Sequence, residues 1–80
     1  MNDYNTINER LSTLIADKTK LSADIIKPDL NLEASGLDSF ARIELILVIE
    51  EEFGIELSDS ESANISTIDD LIKIIVEKNN

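Results

Sequence analysis

Apolar positions recur along this chain at helical spacing, and polar punctuation divides them into separate stretches. Over residues 3–18, Tyr4, Ile7, Leu11, Leu14 and Ile15 fall three or four apart, which places them on one helical face. Asp3 offers a cap ahead of this stripe, and Thr6 followed by Glu9 fits a capping box one turn later. The spacing predicts an amphipathic helix over 3–18.

Residues 20–38 follow another pattern. Pro28, Gly36 and scattered Asp, Asn and Ser read as turns, yet Leu21, Ile25, Ile26, Leu30, Leu32 and Leu37 recur through them. So long a connection in a small domain is expected to be ordered or functional. It reads as a loop held to the core by those aliphatics, with room for a short turn over 22–26.

The stretch 39–53 is apolar on most sides. Its β-branched middle, residues 43–49, resembles a buried strand, but strands average roughly five or six residues and this pattern is far longer. Asp38 and Ser39 suit a helix start, and Gly54 suits the left-handed position after a last turn. A helix apolar nearly all round is expected at the centre of a bundle, touched by every other element. Ile55 and Leu57 follow, then a polar segment compatible with a short helix over 59–64. Ile68, Leu71, Ile72, Ile75 and Val76 form a last stripe over 67–78, started by Ser66 or Thr67 with Asp69 or Asp70 downstream. The reading is all-α: a four-helix bundle of three main helices and one short one, with a long first loop, as a single domain over 1–80. No repeat, linker or low-complexity tract interrupts it.

Composition narrows the chemistry. The chain has no cysteine and no histidine, so it offers no thiol, no disulfide, no metal thiolate and no imidazole base. That argues against an enzyme and leaves no metal site to propose; alternating Asp and Asn at calcium-loop spacing are also missing. A net charge of −10 on 80 residues repels nucleic acid and anionic membranes and favours proteins with basic patches. Only Tyr4, Phe40 and Phe53 are aromatic, so the core is aliphatic. The N-terminus lacks a basic flank followed by an apolar run, and the apolar run 45–49 is too short to span a bilayer. A cytoplasmic monomer is expected.

The residues at the mouth of the second main helix carry more. Gly36-Leu37-Asp38-Ser39-Phe40 leads into Ile43-Glu44-Leu45, then Glu50-Glu51-Glu52-Phe53-Gly54-Ile55-Glu56-Leu57, and later Ile65-Ser66-Thr67-Ile68. By capping preference alone Ser39 reads first as a helix cap, a role that Asp38 beside it can also fill. In this combination of length, charge and flanks, the chain resembles the acyl carrier protein family from residue 39 to about 75 without a gap, and more loosely over the first helix. The resemblance implies the family's four-helix fold and a specialised discrete carrier of bacterial type.

It also implies that a phosphopantetheinyl transferase moves 4'-phosphopantetheine from coenzyme A onto the Ser39 hydroxyl, with Asp38 assisting recognition. Acyl groups then ride on the imported thiol, in fatty acid, polyketide or related lipid biosynthesis. A helix N-terminus suits the attached phosphate, since its amides and dipole favour negative charge. The family's docking face maps here to Phe40, Arg42, Glu44, Glu50 and Glu51, with Glu52 beside them, facing basic patches on acyl-activating, synthase or transferase enzymes. Glu50, Glu51 and Glu52 read equally as a solvated helix face, whereas Glu44 favours docking. Ile49, Phe53, Leu57, Ile65, Ile68 and Leu71 are core residues by periodicity, and the family's habit of holding an acyl chain between helices makes them pocket candidates too.

Three positions depart from the common fatty-acid pattern: Phe40 replaces Leu or Met, Ala41 stands where an acid is frequent, and Arg42 adds a cation to an acidic face. They favour a dedicated partner. Aminoacyl, D-alanyl or peptidyl cargo stays open, although Leu37 weakens the peptidyl version, whose members usually show Gly-Gly there. A rival of another class is an acidic helical docking domain with no prosthetic group.

Overall fold

A computed structural model describes residues 3–79. Its helices are α1 (Tyr4–Lys18), α2 (Ser39–Phe53), α3 (Asp59–Ala63) and α4 (Ile68–Asn79), with a 3₁₀ turn at Ala23–Ile25 in the first loop. The fold is the expected four-helix one.

Each helix starts where a side chain can take its first amides. Asp3 accepts from Thr6 N–H at 2.8 Å, so the cap of α1 is the earlier of the two candidates. Ser58 and Glu61 close a reciprocal capping box at α3. Thr67 Oγ1 accepts from the Asp70 amide at 3.2 Å, while Asp70 Oδ2 accepts from the amides of Thr67 and Ser66. Gly54 ends α2 at φ +65°, a backbone conformation strained for residues with a Cβ.

The core is wholly aliphatic apart from Phe53. Ile7, Leu11 and Ile15 of α1 and Ile68, Leu71, Ile72 and Ile75 of α4 are completely buried. These stripes face one another, and α1 with α4 is the most extensive helix pairing. Here the sequence expectation needs correction. Although α2 contributes Leu45, Ile46, Ile49 and Phe53 to the core, it is a wall of the bundle, not its axis. Phe40, Ile43 and Leu47 lie 55–71% exposed on its outer face. A helix apolar on every side has no preferred inward direction until its neighbours choose one.

The first loop is ordered by being stitched to the start of α4. Leu32 N–H donates to Ser66 O at 2.8 Å, Ile68 N–H to Leu30 O at 3.1 Å, and Asp69 N–H to Pro28 O at 2.8 Å. Asn31 and Thr67 form an isolated antiparallel bridge within this seam. Ile26 and Leu32 are the buried anchors beneath it; Leu21, Leu30 and Leu37 pack at the edge of the core, while Ile25 is exposed. No described helix is long and apolar enough to cross a membrane.

Candidate functional site

The seam delivers the loop to the mouth of α2. Asn31 Oδ1 collects the amides of Glu33 and Ala34 at 2.9 and 3.0 Å, and Ser35 Oγ donates to Leu32 O at 2.6 Å. Gly36 then reverses the chain at φ +96°. Half-buried Leu37 anchors the return, and Asp38 enters the cap position with extended backbone.

Asp38, not Ser39, is the cap. Its Oδ1 accepts from Ala41 N–H at 2.7 Å and its carbonyl from Arg42 N–H at 3.0 Å. Ser39 is the first helical residue and is exposed. Among the described residues its hydroxyl has no hydrogen-bond partner, and the amides of Ser39 and Phe40 have no acceptor. An exposed hydroxyl beside unsatisfied amides at a positive dipole end can carry a phosphoester. Phe40, 71% exposed, stands beside it.

The other charged candidates divide. Glu44 and Glu51 are exposed. Glu50 is half-buried, and its Oε2 accepts from Leu57 N–H at 2.8 Å, which fastens the segment after α2 to α2 itself. Glu52 pairs with Arg10 at 3.3 Å, and that guanidinium also lies 4.7 Å from the centroid of the Phe53 ring, joining α1 to the end of α2. Arg42 turns inward. It donates to the carbonyls of Ser62, at 3.3 Å, and Ile65, and it pairs with Glu33 at 3.7 Å; its side chain is 22% exposed. Its cation therefore closes the fold between α2, the first loop and the turn after α3.

Two clefts flank α2. One, of about 570 Å³, lies toward α1 and is bordered by Lys18, Lys20, Leu37, Asp38, Glu44 and Val48. The other, of about 450 Å³, lies between α2 and α3 against Arg42, Ile43, Ile46, Leu47, Leu57 and Ala63. Of the six pocket candidates only Leu57 borders either cleft; Ile49, Phe53, Ile65, Ile68 and Leu71 sit in the closed core. Ile43, Ile46, Leu47 and Ala63 were not among the pocket candidates read from the sequence. The 3–4 spacing of the first three along α2 was the available signal, hidden because α2 is apolar on its other sides as well.

At the start of α4 the carboxyls are tuned by the hydrogen bonds they accept. Hydrogen bonds from the Ser66 and Thr67 amides hold the Asp70 carboxyl below its ordinary value. Tyr4 and then Lys73 do the same for Asp69, while the bond to Asp69 raises Tyr4.

Known proteins share this fold and much of this sequence. The family described as "Phosphopantetheine attachment site" matches residues 9–75. An acyl carrier protein of Nitratidesulfovibrio vulgaris is 38% identical over 74 residues, covering 91% of this chain and 97% of that protein. The structure of an acyl carrier protein from Enterococcus faecalis superposes with a TM-score of 0.77 at 26% identity, covering 94% of this chain and 96% of the other. One from Thermotoga maritima shares the fold with a TM-score of 0.80 at 23% identity, over 94% and 88% of the two chains.

Proposed function

Since the chain belongs to the acyl carrier family with a phosphopantetheine attachment site, we propose that Ser39 is the residue that bears its arm. The protein is a non-catalytic carrier. When bound, 4'-phosphopantetheine supplies the terminal thiol on which acyl groups are held as thioesters. The single observation behind Ser39 is its exposed hydroxyl, without a partner among the described residues, at the first turn of a helix capped by its neighbour.

The residues around it fit such a group. Asp38 occupies the Ala41 amide and leaves those of Ser39 and Phe40 facing the attachment point. Gly36, Asp38 and Ser39 are all exposed, so the approach to the acceptor serine is open to a modifying transferase. Asp38 serves as cap and as a negative mark beside the acceptor serine.

Docking falls to what α2 still exposes: Phe40, Ile43 and Leu47 as an apolar stripe, with Glu44 and Glu51 beside it. Basic patches on acyl-activating, synthase or transferase enzymes complement that surface, and association is steered and salt-sensitive. Arg42 and Glu50 act on docking through the fold they hold. The acyl chain is taken up in the α2–α3 cleft, whose wall includes Leu57. The compartment that supplies coenzyme A and these enzymes is the cytoplasm, and the cargo belongs to fatty acid, polyketide or related lipid synthesis.

The test is a mass measurement. Incubated with coenzyme A, magnesium and a broad-specificity phosphopantetheinyl transferase, the protein should gain one phosphopantetheine and Ser39→Ala none. No gain in the natural sequence, or an equal gain in Ser39→Ala, overturns the assignment.

A further inference from the structure

Arg42 lines the α2–α3 cleft, and its guanidinium is committed to backbone carbonyls on the far side of it. It reaches the carbonyls of Ser62 and Ile65, at the C-terminal end of α3 and in the turn just beyond it, from the first turn of α2. Those carbonyls lie where a helix dipole is negative, and a charged planar donor there forms stronger bonds than a neutral one. Glu33 on the first loop balances the charge from the solvent side.

What Arg42 holds is weakly held otherwise. α3 spans five residues and contains no buried side chain. Its apolar anchors, Ile55 and Ile65, lie outside the helix, and half-buried Leu57 lines the cleft. Its other polar ties are at different points: Glu61 to Lys78 of α4 at 3.0 Å, and the Leu57 amide to Glu50 at 2.8 Å. Among the described residues, only the Arg42 bonds span the cleft between α2 and the far end of α3. For α3 to swing away from Ile43, Ile46 and Leu47 and admit more chain, these bonds must break.

We propose that Arg42 is a latch residue that limits how far the α2–α3 cleft opens, and so sets the length of acyl chain the carrier shelters. The inference rests on the carrier reading for its cargo, but the latch itself is a property of the unmodified chain. It gives the departure at this position a specificity role through depth of uptake, with no direct contact to a partner required.

Arg42→Met keeps an apolar stem of similar length and removes the charged fork. In the unmodified protein, amide exchange at Ser62, Asn64 and Ile65, whose N–H groups bond within and just after α3, should quicken about tenfold. Exchange along the α1 and α4 core should not change. Arg42→Lys, which keeps charge but loses the fork, should fall between. In arm-bearing protein loaded with acyl groups of increasing length, Arg42→Met should slow thioester cleavage by hydroxylamine relative to the natural sequence, for long chains and not for acetyl. Unchanged α3 exchange in Arg42→Met overturns the latch, as does a uniform rise in all helices, which would mark a general loss of stability. Equal thioester protection at every chain length overturns the role in cargo selection. A chain that cannot be loaded at all would instead refute the attachment at Ser39, and the exchange result would stand apart from it.

Discussion

The Tyr4 hydroxyl donates to Asp69 Oδ1 at 2.5 Å, joining the first turn of α1 to the first turn of α4 across 65 positions of sequence. Lys73 holds the second oxygen of the same carboxylate at 3.0 Å, and the Asp69 amide belongs to the seam with the first loop. One residue thus fastens α1, α4 and the loop that delivers Ser39. The tyrosine pKa is raised because its neutral form donates to the carboxylate. A folded value above the ordinary 10.0 means the contribution is complete below pH 10 and is lost as pH rises through the raised value. Tyr4→Phe should lower the melting temperature at pH 7 and flatten the fall in stability above pH 10, both readable by thermal melts followed by circular dichroism. A melting temperature and alkaline profile unchanged from the natural sequence would contradict this.

Acid should act on the other side of the same helix start. Backbone amides of Ser66 and Thr67 lower the Asp70 pKa, so its capping contribution is present above the ordinary 3.8 and disappears as pH falls below that, through the folded value. Asp70→Asn, which retains an acceptor but no charge, should show a shallower loss of stability between pH 5 and pH 2 than the natural sequence. Identical acid profiles would remove Asp70 from the account.

At the attachment site, cap and mark can be separated. Asp38→Ala should cost about 1 kcal/mol of stability by freeing the Ala41 amide, whereas Asp38→Asn should retain most of it. Modification by the transferase should slow in both variants, because both lose the charge beside Ser39. Denaturant melts and initial rates of mass gain read the two effects independently; full-rate modification of Asp38→Asn would leave Asp38 only its cap role.

Gly54 tests backbone strain without steric interference. A Cβ at this position meets no atom within 4 Å, yet φ is +65°. Gly54→Ala should therefore cost about 1–2 kcal/mol through conformation alone, and Gly54→Asn less. An alanine variant as stable as the natural sequence would show that the turn can relax to negative φ.

The outer face of α2 offers a binding prediction. Leu47→Ser removes an apolar side chain that is 55% exposed, so the melting temperature should hardly move while affinity for the loading enzyme falls several-fold. Glu44→Lys should instead slow association most at low salt, the mark of lost steering. Stopped-flow rates at two ionic strengths separate the cases, and unaltered kinetics in both would move docking off this face.

Much of this molecule was legible in one dimension because its causes are local. The stripes of α1 and α4, the left-handed Gly54 and the placement of Ser39 at a helix mouth all depend on residues within a turn or two of each other. Asp38 over Ser39 as the cap was decided at the same range, by a carboxylate that reaches the Ala41 amide. Other assignments had no local signal. α2 carries apolar side chains around its whole circumference, so its pattern could not say that Phe40, Ile43 and Leu47 face solvent. The charged residues Arg42, Glu50 and Glu52 read as one docking surface, but each found a different partner once the chain had folded: two carbonyls 20 and 23 residues away, an amide 7 away, and an arginine 42 away. Periodicity reports how a helix is wound; which carbonyl a guanidinium reaches depends on how helices pack, and that was settled only in three dimensions.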